Sequence, residues 1–307
     1  MTGRVAAIDC GTNTIKLLIG DLSSTDVREM RVVRLGQDLD RTGRIADEAL
    51  GRAFAAIDEY AALIADHDVP PERVRFVATS ATRDASNSSV FVAGVRERLG
   101  VEPEVVSGEV EAALSFDGAV RNLRATPAGP VLVVDIGGGS TELILGSDAP
   151  HAADSMDIGS VRLHERHLHS DPPTADEVAA CLADIDAHLD ACPVDPAAAG
   201  TVVGVAGTVT QLAAVALGLP TYARDAVDQV VLPTDLVIAT VDRLVAMTVA
   251  ERRALPSMHP GRADVIDAGV LILVQVLRRS GATSLLVSDS DILDGIAWSI
   301  TGSIGGS

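Results

Sequence analysis

The chain has 307 residues, a length that suggests about two domains. With 47% hydrophobic and 22% charged residues it reads as a globular protein, and no apolar run reaches the ~18 residues needed to span a bilayer. A net charge of −19 excludes a general binder of nucleic acid or anionic membrane, and three scattered cysteines (Cys10, Cys181, Cys192) exclude a disulfide framework or a zinc site. Met-Thr-Gly-Arg runs straight into a strand with no signal-peptide apolar region, so a cytoplasmic location is expected.

In chain order, strands are expected at about 4–10, 15–22 and 29–35. A helix at about 47–66 follows, where Leu50, Phe54, Ile57, Ala61 and Ile64 recur at helical spacing. A strand at about 73–79, a helix at about 88–99, a strand at about 103–107 and a helix at about 109–123 complete the first half. Pro and Gly cluster in Thr126-Pro-Ala-Gly-Pro130, which divides the chain into domains 1–126 and 127–307. The second half opens with a tight hairpin at about 131–146 and a strand near 153–159. A helix at about 175–191, a strand at about 201–206, helices at about 208–217, 234–246 and 261–279, and a buried strand at about 284–288 follow. His164, His167 and His169 read as a solvated helix face.

The two halves repeat each other. Ala7-Ile-Asp-Cys-Gly-Thr-Asn-Thr-Ile-Lys-Leu-Leu-Ile-Gly20 aligns without gaps on Val133-Val-Asp-Ile-Gly-Gly-Gly-Ser-Thr-Glu-Leu-Ile-Leu-Gly146, with Asp9 on Asp135. The same offset lays Phe76-Val-Ala-Thr-Ser-Ala-Thr82 on Val202-Val-Gly-Val-Ala-Gly-Thr208. Two matches in one register, tens of residues apart, mark duplicated domains.

Each hairpin ends its first strand on Asp and turns through Gly, Thr, Ser and Asn. Such a turn (Gly11, Thr12, Asn13 and Thr14; Gly137, Gly138, Gly139 and Ser140) aims successive N–H groups into one concavity and adds hydroxyl and amide donors. A carboxylate beside phosphate requires a cation between them, and Mg²⁺ takes one or two carboxylates plus phosphate oxygens. Asp9 and Asp135 are therefore candidate metal ligands, and the two hairpins are expected to grip one phosphate chain across a cleft.

At these residues the sequence resembles the exopolyphosphatase / guanosine pentaphosphatase (Ppx/GppA) family, within the superfamily of actin, sugar kinases and heat-shock ATPases. Asp9-Cys-Gly-Thr-Asn-Thr-Ile-Lys16 resembles the first phosphate loop, and Asp135-Ile-Gly-Gly-Gly-Ser-Thr-Glu142 the second. Ala78-Thr-Ser-Ala-Thr-Arg-Asp-Ala-Ser-Asn87 resembles the segment with an essential arginine, here Arg83, and contributes Ser80. Ser107-Gly-Glu-Val-Glu-Ala112 resembles the segment with the catalytic glutamate. Val110 stands where relatives usually carry a first acid, which leaves Glu111 as the base. Gly204-Val-Ala-Gly-Thr208 and Arg262-Ala-Asp-Val-Ile266 fit later loops, with Gly207 and Thr208 on the substrate. The match decays at Asp291-Ile-Leu-Asp-Gly295, where relatives tend to read Gly-Leu-Arg-Glu-Gly.

The resemblance implies an α/β fold of duplicated ribonuclease H-like domains with an interdomain cleft, and hydrolysis of a terminal phosphoanhydride. Arg83, Glu111 and Glu142 would be catalytic, with Asp9, Asp135 and Glu142 on Mg²⁺. Inorganic polyphosphate is the expected substrate and guanosine pentaphosphate the alternative; a homodimer is expected. An ATP-dependent sugar or acetate kinase and a non-catalytic phosphate sensor are the competing classes, against which Glu111, Arg83, Asp135 and Glu142 argue.

Overall fold

Unbroken apolar runs at Val5–Cys10 and Val131–Ile136 become central strands, buried along their whole length because each sheet is covered on both faces. The computed structural model describes residues 3–21 and 24–304, the side chains of 301–304 excepted. Leu22, where the sequence ended the second strand, lies outside the described residues.

The first half contains β1 (Val5–Cys10), β2 (Thr14–Gly20), β3 (Thr25–Val32), α1 (Leu39–Thr42), α2 (Asp47–Asp66) and β4 (Val74–Ala78). It continues through α3 (Ser80–Asp84), α4 (Ser88–Leu99), β5 (Glu104–Val105) and α5 (Gly108–Val120). The second half begins with β6 (Val131–Ile136), β7 (Thr141–Gly146), β8 (Pro150–Met156), α6 (Ser160–His167), α7 (Ala175–Ala191) and β9 (Thr201–Val205). Then come α8 (Ala206–Ala216), α9 (Arg224–Val227), β10 (Val231–Pro233), α10 (Thr234–Ala246), α11 (Val249–Arg253), α12 (Ile266–Ser280), β11 (Ser284–Val287) and α13 (Ile292–Ile304).

The sheets run β3-β2-β1-β4-β5 and β10-β11-β9-β6-β7-β8. In each, three antiparallel strands (β1–β3, β6–β8) are followed by strands parallel to the first (β4 and β5, β9 and β11). These are the duplicated ribonuclease H-like domains of the expected α/β class, and β10 is an extra antiparallel edge in the second. Register repeats as well, since Asp9 lies opposite Lys16 and Asp135 opposite Glu142.

Alternation along the strands sorts their faces. Ala6, Ile8 and Cys10 join Ile15, Leu17 and Ile19 in the main core of the first sheet beneath α2 and α4. Val5, Ala7, Leu18 and Val77 form a second apolar face, and Ile292, Leu293, Ile296, Ala297 and Ile300 of α13 cover it. The chain accordingly divides into Met1–Gly118 with Ile292–Ser307, and Ala119–Asp291. The division at 126/127 is thus corrected: the break falls earlier, and the final helix belongs to the first unit because that unit's sheet needs a second cover. Gly295 is what admits α13, for a Cβ there would sit 2.0 Å from the Leu114 carbonyl oxygen.

The second unit's core runs from Leu132, Val134 and Leu143 to α8 and α12. Its α7 starts at a reciprocal cap, in which Thr174 Oγ1 accepts from the Glu177 N–H and Glu177 accepts from the Thr174 N–H at 2.8 Å. Backbone N–H donation from Thr174, aided by Ser170 and His169, outweighs desolvation and holds the Glu177 carboxyl down at about 2. A carboxyl lowered on folding contributes stability that is complete above its ordinary value and is lost as pH falls toward 2. Glu177→Gln is therefore expected to flatten the acid limb of the unfolding midpoint between about pH 4.5 and 2. An unchanged pH dependence in melting experiments refutes this.

Candidate active site

Both phosphate loops close with the same bond: Gly11 N–H donates to Thr14 O at 3.0 Å and Gly137 N–H to Ser140 O at 3.0 Å. Neither uses left-handed backbone, since the glycines with positive φ are Gly43, Gly100, Gly129, Gly218 and Gly281. At Gly137 a Cβ would lie 3.1 Å from Ser140 O, so that turn is tight, whereas at Gly11 it would meet nothing closer than 3.6 Å.

In the first unit, Asp9, Thr12, Asn13, Thr14 and Ser80 are all buried. Thr12 and Ser80 hydroxyls meet at 2.9 Å, which ties the loop to α3. Asn13 O accepts from the Val33 and Arg34 N–H groups, fixing the loop from below. The Asn13 Nδ2 donor is buried without a hydrogen-bond partner, which suits a site awaiting an acceptor such as a phosphate oxygen. Lys16 Nζ lies 3.3 Å from Asp9 Oδ2 and serves as its counter-ion. Next door, Cys10 is inert: burial, then Asp9, pushes its thiol far up.

Arg83 lies in the last turn of α3 and Glu111 in the first turn of α5, and the structure joins them. Arg83 Nη1 lies 3.1 Å from Glu111 Oε2 and also donates to Val106 O at 2.9 Å. Glu111 is 7% exposed, whereas its neighbours Glu109 and Val110 face solvent. Burial separates the candidate base from the solvated acid two residues earlier.

The second unit is built differently around the same loop. Asp135 and Glu142 are buried and directly opposite, so their carboxylates share one face of the hairpin. Ser155 Oγ donates to Glu142 Oε1 at 2.7 Å. In the first unit the residue opposite the strand-end Asp is Lys16, so the paired position carries opposite charge there and like charge here. Two buried carboxylates on one face are a donor set of the kind Mg²⁺ takes together with phosphate oxygens; among the described residues no group of three or more His, Cys, Asp or Glu side chains is placed to hold a metal ion.

The carbonyls of this loop point into α6. Ser160 N–H donates to Gly137 O, Val161 and Arg162 N–H to Gly138 O, and Arg162 Nε to Gly139 O at 2.8 Å. In a trans peptide C=O and N–H point oppositely, so the N–H groups of Gly138, Gly139 and Ser140 face away from α6. That is the orientation an anion nest requires. Thr208 Oγ1 reaches Ile136 O at 3.4 Å, and Ala206 adopts φ +63 at the β9–α8 junction, a strained position for a residue with a Cβ.

Sequence reasoning missed two features here. Arg262, quoted only as part of a later loop, lies against Gly207, where a Cβ would clash with its guanidinium. Burial lowers its pKa, while Tyr222, Asp291 and Asp289 oppose the shift. His164 and His167 are not a solvated face: His164 Nδ1 is 3.1 Å from Asp267 Oδ1, and His167 Nε2 is 2.7 Å from Asp184 Oδ2. Only His169 is exposed. The acids lie 103 and 17 residues away, so no local pattern pairs them with the histidines.

The two units share one strand plan, and in each an Asp ends the first strand just before a tight turn, the arrangement that the resemblance gave for a phosphatase. The chain belongs to the Ppx/GppA phosphatase family, whose model matches residues 20–303. Exopolyphosphatase 2 of Mycobacterium tuberculosis is 46% identical to it, over 97% of this chain and 99% of that protein. An exopolyphosphatase-like protein of known crystal structure superimposes with a TM-score of 0.93 at 43% identity, covering 98% of this chain and 99% of the other. The crystal structure of an exopolyphosphatase from Cytophaga hutchinsonii gives 0.89 at 29% identity, over 97% and 98% of the two chains. Among the described residues no helix is long and apolar enough to cross a membrane.

Proposed function

We propose that this chain is an exopolyphosphatase, which hydrolyses the terminal phosphoanhydride of inorganic polyphosphate. The observation that carries the reading is the Arg83–Glu111 contact, a buried carboxylate aimed by a guanidinium at the head of α5. Phosphoryl transfer to water needs charge stabilisation on the moving group and an oriented nucleophile. Glu111 orients a water and takes its proton. Arg83, whose two contacts both use Nη1, presents its fork to phosphoryl oxygens. In the second unit the N–H groups of Gly138, Gly139 and Ser140 would bind phosphate oxygens, and in the first unit Asn13 Nδ2 and the Thr12 and Ser80 hydroxyls would do the same.

In the second unit Asp135 and Glu142 would hold Mg²⁺; Asp9, the candidate ligand of the first unit, already lies beside Lys16. Bound there, Mg²⁺ would neutralise charge developing on phosphate oxygens. A cytoplasmic homodimer completes the reading, and sedimentation of the purified protein tests its second half.

The test is phosphate release from polyphosphate, guanosine pentaphosphate and ATP, each with Mg²⁺ and with excess chelator. Polyphosphate is expected to be the best substrate and the chelator to abolish release. Preference for guanosine pentaphosphate would make the alternative substrate the right one, and transfer from ATP to a sugar would make the chain a kinase.

A further inference from the structure

Three polar groups of the second unit, two of them fully buried, take no part in the chemistry above. Arg252 on α11 is 1% exposed, Asp267 on α12 is 0% exposed, and they form an ion pair with Nη1 2.7 Å from Oδ2. The other carboxylate oxygen, Oδ1, faces His164 Nδ1 on α6 at 3.1 Å and accepts the Ala268 N–H at 2.8 Å. Burial alone would raise the Asp267 carboxyl. The His164 hydrogen bond and the Arg252 charge outweigh it, so the acid is held below its usual range. Replacing a buried ion pair with well-packed apolar groups is often neutral or stabilising, so stability alone gives little reason for this arrangement.

Its position suggests another reason. His164 lies one turn after Ser160 on α6, and the two share a helix face. The first turn of α6 holds all three loop carbonyls, those of Gly137, Gly138 and Gly139, and so sets where the N–H nest points. The same α12 that carries Asp267 also carries Gly269, whose Cβ would come within 2.8 Å of Thr208 and 3.0 Å of Ser160. It is thus a common platform for α6 and for Thr208. An apolar contact would let an eight-residue helix roll; a directed hydrogen bond to a carboxylate that is also ion-paired with Arg252 resists it. A loop displaced by ~1 Å loses much of its hold on the substrate.

We propose that His164, backed by Asp267 and Arg252, is a positioning residue that aims the second phosphate loop at its substrate. The proposal deepens the exopolyphosphatase reading and rests on it in treating that loop as a phosphate site. His164 is half-buried and its removal leaves the Arg252–Asp267 pair intact, so variants there fold.

The experiment uses the full chain with His164→Ala and His164→Asn, since Asn keeps an N–H donor near the place of Nδ1. Steady-state kinetics on polyphosphate are read beside calorimetric binding of tripolyphosphate and thermal melting. His164→Ala is expected to raise KM and weaken tripolyphosphate binding about tenfold, with kcat within about twofold, and Asn to restore most of both. In the wild type, the His164 ring nitrogen resonances are expected to shift when tripolyphosphate binds. Unchanged KM and binding in His164→Ala, whatever its melting temperature, overturn the proposal. Wild type that fails to hydrolyse polyphosphate, yet binds tripolyphosphate in a His164-dependent way, would sink the exopolyphosphatase reading and leave this one standing.

Discussion

Glu111→Gln is expected to lower kcat on polyphosphate by ~10²–10⁴-fold, with KM within about threefold. Glutamine keeps the length and one oxygen of the side chain, so the Arg83 contact at 3.1 Å has a surviving acceptor and the head of α5 keeps its shape. What is lost is the capacity to take a proton from water, which matters only in the transition state. The loss should therefore appear in kcat, as about 3–5 kcal/mol of barrier. Glu109→Gln is the control, because Glu109 is exposed and its charge is solvated. Equal rates in Glu111→Gln and wild type would remove Glu111 as the base, and a loss shared by Glu109→Gln would point to helix charge in general.

Gly159→Ala should cost about 10²-fold in kcat/KM without unfolding the protein. Gly159 precedes α6 in extended backbone (φ −157, ψ 169) that any residue adopts, so the change carries no conformational strain of its own. The new methyl would lie 2.5 Å from the carbonyl carbon and oxygen of Gly138 and 2.6 Å from Gly139 N. These are backbone atoms of the nest, and they can yield only by moving the N–H groups that meet phosphate. Gly218→Ala makes the opposite case: open space but φ +63, where a Cβ costs roughly 1–2 kcal/mol. That variant should melt earlier and catalyse normally. Kinetics and melting of the two together separate a loop effect from a stability effect, and wild-type kcat/KM in Gly159→Ala refutes the loop argument.

Much of this architecture was legible from periodicity alone. α2, α4, α7 and α10 begin and end at the residues where the apolar spacing begins and ends. The duplication was legible because Asp9 and Asp135 end matching strands, and the loops do share a turn bond. Several short elements escaped, α1, α3, α9 and α11 among them, and three further cases show why. β10 spans three residues at a sheet edge, too few to show alternation. α12 starts at Ile266, not near 261, because the preceding segment turns and carries Arg262 to Gly207. α13 contains Gly295, which weakens an isolated helix, and tertiary packing against Leu114 overrides that propensity. Within the site, Arg83 and Glu111 were legible through motif resemblance, whereas the His164–Asp267–Arg252 chain is assembled by the fold from three separate helices.

The return of α13 to the first unit has a bearing on how the protein is made. When β1, β2 and β4 leave the ribosome, Val5, Ala7, Leu18 and Val77 have nothing to lie against, because Ile292 and Ile296 do not yet exist. All of Ala119–Asp291 must be translated first, which at ~5–20 residues per second takes roughly 9–35 s. During that interval a greasy surface stands open on the nascent chain. The later-encoded unit, contiguous in sequence, can mature before the earlier one, and the N-terminal sheet waits on the C-terminal helix to be sealed.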